Sequence, residues 1–272
     1  PLVLFSLITV GYSANALGGA GGPLAVLIIA IVAAELGKAV SKETKVDILV
    51  TPLVTIFAGV GLSMLIAAPI GAAASQVGTL IMWATEQAPL VMGILVSVIV
   101  GVALTLPISS AAICAALGLT GLAGGAAVAG CCAQMVGFAV MSYKENGVGG
   151  LVSQGLGTSM LQMGNIIKNP RIWIAPTLAS AITGPMATCL FHFEMNGAAV
   201  SSGMGTCGLV GQIGVYTGWV SDIAAGTKAA ITPMDWAAMV LLCFVLPAVL
   251  SVVFCEVERK LGWIKEGDLK LN

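Results

Sequence analysis

Charged side chains are what this sequence has least of: Asp, Glu, Lys and Arg make up only 8% of its 272 residues, for a formal net charge of -1. No basic stripe with interleaved aromatics is present, so no nucleic-acid partner is expected. Histidine occurs once, at His192. One histidine and scattered acids do not make a metal site, and there is no Ser-His-Asp set, H-E-x-x-H helix or Walker loop. Neither an enzyme nor a cofactor is therefore expected. The seven cysteines (Cys114, Cys131, Cys132, Cys189, Cys207, Cys243 and Cys255) never take a C-x-x-C spacing and lie in or beside apolar runs. They read as small core residues rather than redox groups.

What is there is apolar: 58% hydrophobic residues and a mean hydropathy of +1.04. Long apolar runs of this kind exclude a soluble domain and point to an integral membrane protein. Thirty-five glycines with few aromatics fit closely packed, interrupted helices, not a β-barrel whose strands would alternate every second residue. The expected fold is all-α: a polytopic bundle of transmembrane helices spanning 1–272 as one membrane domain. The chain opens on Pro1 inside an apolar run, which predicts that the natural terminus lies upstream.

Taken in order, Pro1–Tyr12 reads as a helix end and Asn15–Gly22 as a glycine-rich break. Leu24–Leu36 reads as a span running into the loop Glu35–Asp47, whose Lys38, Lys42 and Lys45 place it on the cytoplasmic side. Ile48–Ile70 crosses outward, Gly71–Gln87 reads as an external loop without Lys or Arg, and Ala88–Leu106 crosses back to the break at Pro107-Ile-Ser-Ser. Ala111–Leu117 is too short to span. Gly121–Ser142 is a further run, closed by a turn at Tyr143-Lys-Glu-Asn-Gly. Gly150–Ile167 is interrupted by Ser153, Gln154, Thr158, Ser159, Gln162 and Asn165, so it is expected to line a cavity or lie at an interface. Ile174–Leu190 crosses outward, Leu209–Val220 follows, Ser221–Asp235 reads as a polar loop, and Trp236–Phe254 is the last span. The tail 256–272, with Arg259, Lys260, Lys265 and Lys270, is expected in the cytoplasm of a bacterial cell.

The most unusual stretch is Phe191–Gln212 (FHFEMNGAAVSSGMGTCGLVGQ), where the chain suddenly carries His192, Glu194, Asn196, Ser201, Ser202 and five glycines. A carboxylate inside a bilayer costs roughly 2.5 to 3.5 kcal/mol on insertion scales, so it faces a partner or a wet cavity. This stretch also belongs to a repeat. Residues 88–131 lie over residues 175–218 at an offset of 87 without a gap, with nine identities in 44 positions. The shared order is Ala-Pro, an apolar helix, a polar break, Ala-Ala, then Gly-x-x-Gly-Leu-x-Gly. The breaks are Pro107-Ile-Ser-Ser and Glu194-Met-Asn-Gly. Copy one starts beside a loop lacking positive charge and copy two beside Lys168 and Arg171, so the copies read as inverted repeats with two re-entrant, discontinuous segments. Many secondary transporters are built this way.

Two stretches carry a family likeness. Lys168-Asn-Pro-Arg-Ile-Trp-Ile-Ala-Pro-Thr-Leu resembles the D-P-L-R-x-I-P-S helix of the membrane (IIC) component of fructose-type phosphotransferase systems, and Lys45-Val-Asp-Ile-Leu-Val-Thr-Pro resembles that family's early helix. L-G-T-S-M-L-Q, K-N-P-R-I-W-I and G-M-G-T-C-G-L-V-G-Q together are most similar to IIC-like proteins of the PfoR regulator type. The resemblance implies a homodimer in the bilayer that moves or senses a small polar solute, a sugar or related metabolite, with separate IIA and IIB phosphotransferase partners. Two departures stand out. Where the family has G-I-T-E-G-A-I-P-F, this chain reads Gly157-Thr-Ser-Met-Leu-Gln-Met, without the sugar-binding glutamate; near Leu106-Pro-Ile-Ser-Ser it lacks the Asn and Lys of G-G-P-V-N-K.

Nine residues are candidates for contact with the solute. Glu194 either serves the solute, accepting hydrogen bonds from ligand hydroxyls or carrying a proton, or is an external-loop carboxylate. On a helix His192 shares no face with Glu194, whereas across a turn the two can meet; its alternative is an interfacial histidine. Asn196, Ser109 and Ser110 sit at the two breaks, as ligand contacts or as caps. Thr158, Ser159, Gln162 and Asn165 occupy the place where the resembled family binds sugar, and their alternative is interhelical hydrogen bonding. The expected function is a carrier working by alternating access between the repeats. A membrane sensor using the same pocket is the alternative, and a channel comes third.

Overall fold

The computed structural model describes residues 22–41 and 47–271. The expected helix end at Pro1–Tyr12, most of the Asn15–Gly22 break and the lysines Lys42 and Lys45 lie outside them. The described residues are mostly helical, with no strand, as the apolar runs and glycine content predicted. The elements are α1 (Gly22–Val40), α2 (Asp47–Gln87), α3 (Pro89–Thr105), α4 (Ser110–Leu117), α5 (Gly121–Met141), α6 (Tyr143–Val152), α7 (Met163–Lys168), α8 (Ile174–Pro185), α9 (Val210–Ala224), α10 (Pro233–Val240) and α11 (Leu246–Lys260). Single π-helical turns at Met186–Leu190 and Leu241–Val245 extend α8 and join α10 to α11. By length and apolarity, Asp47–Gln87, Gly121–Met141 and Pro233–Lys260 each suffice to cross a membrane.

Two compact units are present. The smaller comprises residues up to Thr79 with Ala115–Leu117. In it Ala25, Ile29 and Ala33, one helical turn apart on α1, are buried together with Ala67 of α2. Phe57, Met64 and Leu65 are exposed, an outer surface suited to lipid. The segment Gly71–Gln87 is not the external loop expected. It continues α2 as one helix, because Ala72, Ala73 and Ala74 are strong helix formers and no Gly-Pro or Asn-Gly step interrupts them.

The larger unit, Leu80–Cys114 with Gly118–Asn272, is organised round α5. From Ala123 to Gln134 every residue of that helix is buried, and nearly all are Ala, Gly or Cys. Small side chains let neighbouring backbones approach closely. A Cβ on Gly130 would run into the Ser97 carbonyl of α3, one on Gly125 into the Phe193 carbonyl, and one on Gly137 would lie 2.5 Å from Ser251 Oγ of α11. Gln134 joins this packing with polar bonds. Its Oε1 accepts from Trp173 Nε1 at 3.0 Å and Thr105 Oγ1 at 3.3 Å, and its Nε2 donates to Thr177 Oγ1 at 3.3 Å on α8.

The expected turn at Tyr143–Gly147 is instead the start of α6, kinked where Gly147 takes φ 58. The loop expected from Ser221 begins only after α9 ends at Ala224. The tail does not trail free. Residues 261–271 fold back in turns on the segment 145–169, burying Ile264 and Leu269.

Replacing Gly130 with Ala forces α3 and α5 apart. Overpacking at such a contact costs about 1 to 3 kcal/mol. Thermal unfolding in detergent should therefore show Gly130→Ala clearly destabilised and Gly149→Ala, which has open space around it, close to the parent. Equal midpoints would reject this account of α5.

Candidate functional site

The residues that form the site lie on a non-helical strip, Phe191–Asn196, that leaves the end of the α8 π-turn. Gly121 N donates to Met195 O and Met195 N to Gly121 O, both at 3.0 Å, an isolated antiparallel bridge that pins the strip to the start of α5. In an extended chain, side chains alternate. Phe193 and Met195 are accordingly buried, at 3% and 0% exposure, in the cluster with Val128, Cys132 and Trp219. His192 and Glu194 point the other way and are exposed. His192 reaches this geometry at φ 44, a region that non-glycine residues seldom occupy.

The strip forms one wall of a cavity of about 500 Å³ that is lined by His192, Glu194 and Asn196, three of the nine candidates. Asn196 Nδ2 donates to Glu194 Oε2 at 3.0 Å and to Asp222 Oδ2 at 2.9 Å, so one carboxamide holds two carboxylates. Opposite them, Lys228 Nζ lies 2.8 Å from Asp235 Oδ1 and 5.4 Å from the centroid of the Trp219 ring. Asp235 is fixed in turn as part of a capping box: its Oδ2 accepts from Thr232 N at 2.7 Å, and its own N–H reaches Thr232 Oγ1 at 3.3 Å, starting α10. Trp219 is braced edge-on by Trp236 at 5.6 Å.

Asp222, Lys228, Asp235 and Trp219 are cavity residues that the sequence did not single out. The period-two pattern of Phe191-His-Phe-Glu-Met-Asn was a visible signal for the strip, and Thr232-Pro-Met-Asp for the capping box. No local pattern ties Asp222 to Asn196.

The other six candidates lie elsewhere. Ser109 Oγ accepts from Ala112 N at 3.2 Å at the start of α4, and Ser110 Oγ donates to Gly203 O at 2.7 Å, joining the two breaks. Thr158 caps the 3₁₀ turn Ser159–Gln162 by accepting from Met160 N at 3.2 Å. Ser159 Oγ lies 2.9 Å from Thr105 Oγ1. Gln162 Nε2 donates to Gln154 Oε1 at 2.9 Å and Leu269 O at 3.0 Å; Asn165 Nδ2 donates to Gln162 Oε1 at 2.8 Å and Lys270 O at 3.0 Å. The interface expected for this segment is thus with the chain's own tail. Beside it is a second cavity, of about 460 Å³, lined by Asn165, Lys168, Asn169, Gly267, Asp268, Lys270 and Leu271. The helical run Ile174–Leu190, roughly 25 Å long at 1.5 Å per residue, separates the two cavities.

Among the described residues no group of three His, Cys, Asp or Glu side chains is placed to hold a metal ion. The first cavity offers carboxylates, one carboxamide, one imidazole, one ammonium and a Trp face, a set able to accept hydrogen bonds from a polar solute.

This geometry belongs to a helical membrane protein with a solute-sized polar cavity. The family profile described as Phosphotransferase system, EIIC, matches residues 1–271, and the chain belongs to that family. It is a phosphotransferase IIC-type transporter component of the bacterial membrane; such domains are permease components. No curated protein matches the chain, and no solved structure does.

Asn196→Ala leaves Glu194 and Asp222 facing each other without a shared donor. Losing two such bonds in a partly exposed site costs on the order of 1 kcal/mol. The unfolding midpoint in detergent should fall accordingly, while Asn196→Asp, which adds a third carboxylate, should fall further. An unchanged midpoint in both would show that the amide bridge contributes nothing.

Proposed function

We propose that the chain is the translocating subunit of its phosphotransferase system. It takes a neutral polyhydroxylated solute, a sugar or a related metabolite, into the cavity walled by His192, Glu194 and Asn196. The observation that carries this reading is the pair of carboxylates, Glu194 and Asp222, held by one Asn196 amide beside the Trp219 ring. Ionised carboxylates are acceptors only, so they suit hydroxyl donors, and an indole face suits the apolar face of a sugar ring. The cavity volume falls within the ordinary range for small-molecule sites.

The movement we propose is rocking of two inverted copies, 88–131 and 175–218, within one transport domain. Three features support it. Gly118 and Gly121 take φ 63 and 62, and Gly205 and Gly208, their partners at the repeat offset, take φ 53 and 52. Ser110–Leu117 and Ala199–Gly203 are short helices after corresponding breaks. Where α3 crosses α8, Ser97 meets Ser180 and Gly93 meets Gly184. Exchanging the copies turns each of these contacts into the other. On this reading the chain forms a homodimer, presents its C-terminus to the cytoplasm and works with separate IIA and IIB proteins.

Glu194→Gln should weaken solute binding at least about tenfold, the equivalent of roughly 1.4 kcal/mol. Glu266→Gln, on the tail, should leave it unchanged. The measurement is a thermal-shift screen in detergent against sugars and polyols, followed by counterflow in liposomes. Equal binding by both variants would remove Glu194 from the site. Saturable binding without counterflow would replace the carrier with a sensor that uses the same cavity.

A further inference from the structure

The two cavities of the larger unit are opposite in charge. Glu194, Asp222 and Asp235 face one lysine in the first, whereas the second has Lys168 and Lys270 against Asp268 alone. Asp268 is occupied. Its Oδ2 accepts from Asn169 Nδ2 and from Lys265 N, both at 2.9 Å. None of the other carboxylates among the described residues lines the hollow. Glu145 holds Arg259 at 2.9 Å and Leu269 N at 2.8 Å, and Glu256 holds Lys144 at 2.8 Å. Glu258 is buried on α11, and Glu266 does not line the hollow. The ammonium groups of Lys168 and Lys270, by contrast, form no ion pair and no hydrogen bond among the described residues.

These two lysines are brought together by anchored backbone. Lys168 closes α7, and Lys270 is carried by a tail whose main chain is held on both sides. Asn146 Nδ2 donates to Leu269 O and Asn146 Oδ1 accepts from Leu271 N, both at 2.8 Å, while the buried Asn165 donates to Lys270 O at 3.0 Å. Two ammonium groups against the single carboxylate of Asp268 leave this concavity with an excess of positive charge, which raises the local potential and favours an anion. Lysine is a point-charge binder of phosphate.

We propose that this hollow is an anion site that takes a phosphate-bearing small molecule between Lys168 and Lys270. Its use in transport rests on the carrier reading, but its occupancy does not. The same phosphate chemistry is offered by a soluble phosphorylated metabolite and by a phospholipid headgroup, and the experiment separates them.

Purified protein in detergent is titrated calorimetrically with inorganic phosphate and with glucose 6-phosphate. Binding is expected for both. It should weaken about tenfold in Lys168→Gln and in Lys270→Gln, roughly 1.4 kcal/mol each, and stay unchanged in Lys260→Gln. Both lysines are exposed, so the variants should fold, and unchanged melting temperatures verify this. In parallel, protein from vesicles of phosphatidylglycerol or phosphatidylcholine is examined by native mass spectrometry. Retention of phosphatidylglycerol that both substitutions abolish, without binding of the soluble probes, keeps the site and makes a headgroup its occupant. Binding of none of the probes, or binding that both substitutions leave intact, overturns the proposal. Glu194→Gln is read out separately on neutral solutes, so failure here leaves the first cavity standing, and the reverse holds too.

Discussion

The close approach of neighbouring backbones to α5 is the constraint on which the larger unit depends. A helix of Ala, Gly and Cys has little side-chain surface of its own to bury, so its stability comes from the number of backbones it touches. Gly125, Gly130 and Gly137 lie at successive levels of the helix, and each faces a different neighbour: the strip at Phe193, α3 at Ser97, α11 at Ser251. A single side chain larger than hydrogen at any of them would displace one wall. Gln134 adds direction to this packing, since its carboxamide bonds α3, the start of α8 and α5 into one arrangement. In an apolar surrounding such bonds are costly to leave unmade, which ties α8 to one rotational setting.

That setting determines what happens at the far end of α8. After the π-turn the backbone leaves the helix, and its freed groups must find partners. They find them at Gly121, the first residue of α5, through two hydrogen bonds. The strip is held non-helical, and period-two geometry then buries Phe193 and Met195 while turning His192 and Glu194 into the cavity. Glu194 is therefore placed by the same helix that packs the core. The cavity's other wall, Asp222 to Asp235, is set by the end of α9 and by the capping box that starts α10.

Much of this was legible in the sequence, and the failures have physical causes. Long apolar runs gave the helices, and the Pro107 break gave the end of α3. The polar strip at Phe191–Asn196 gave three of the cavity residues, because a carboxylate between apolar runs has few cheap alternatives. Gly71–Gln87 was misread because a lack of Lys and Arg marks an outer loop only if the backbone is irregular, and alanine-rich backbone is not. Lys228 escaped notice because the stretch that carries it reads as a polar loop, and Asp222 because its partner, Asn196, lies far along the chain. The role of Gln162 and Asn165 was hidden for the same reason. Polar residues in a short helix advertise that they need partners, but nothing local says that the partners are carbonyl groups of the tail more than a hundred residues on.

The distribution of charge gives the unit a direction. The helical run from Ile174 to Leu190 has carboxylates at its C-terminal end and free lysines beyond its N-terminal end. Each end of a helix dipole favours the opposite arrangement: acids near the N-terminus and bases near the C-terminus. The observed distribution therefore gains nothing from the dipole. Ion pairing accounts for only part of it: Asp235 holds Lys228, whereas Glu194 and Asp222 share a neutral amide and Lys168 and Lys270 form no ion pair among the described residues. Gln134 braces α8 against α5, so a wall carrying carboxylates and a hollow carrying two lysines lie towards opposite ends of one packed helix.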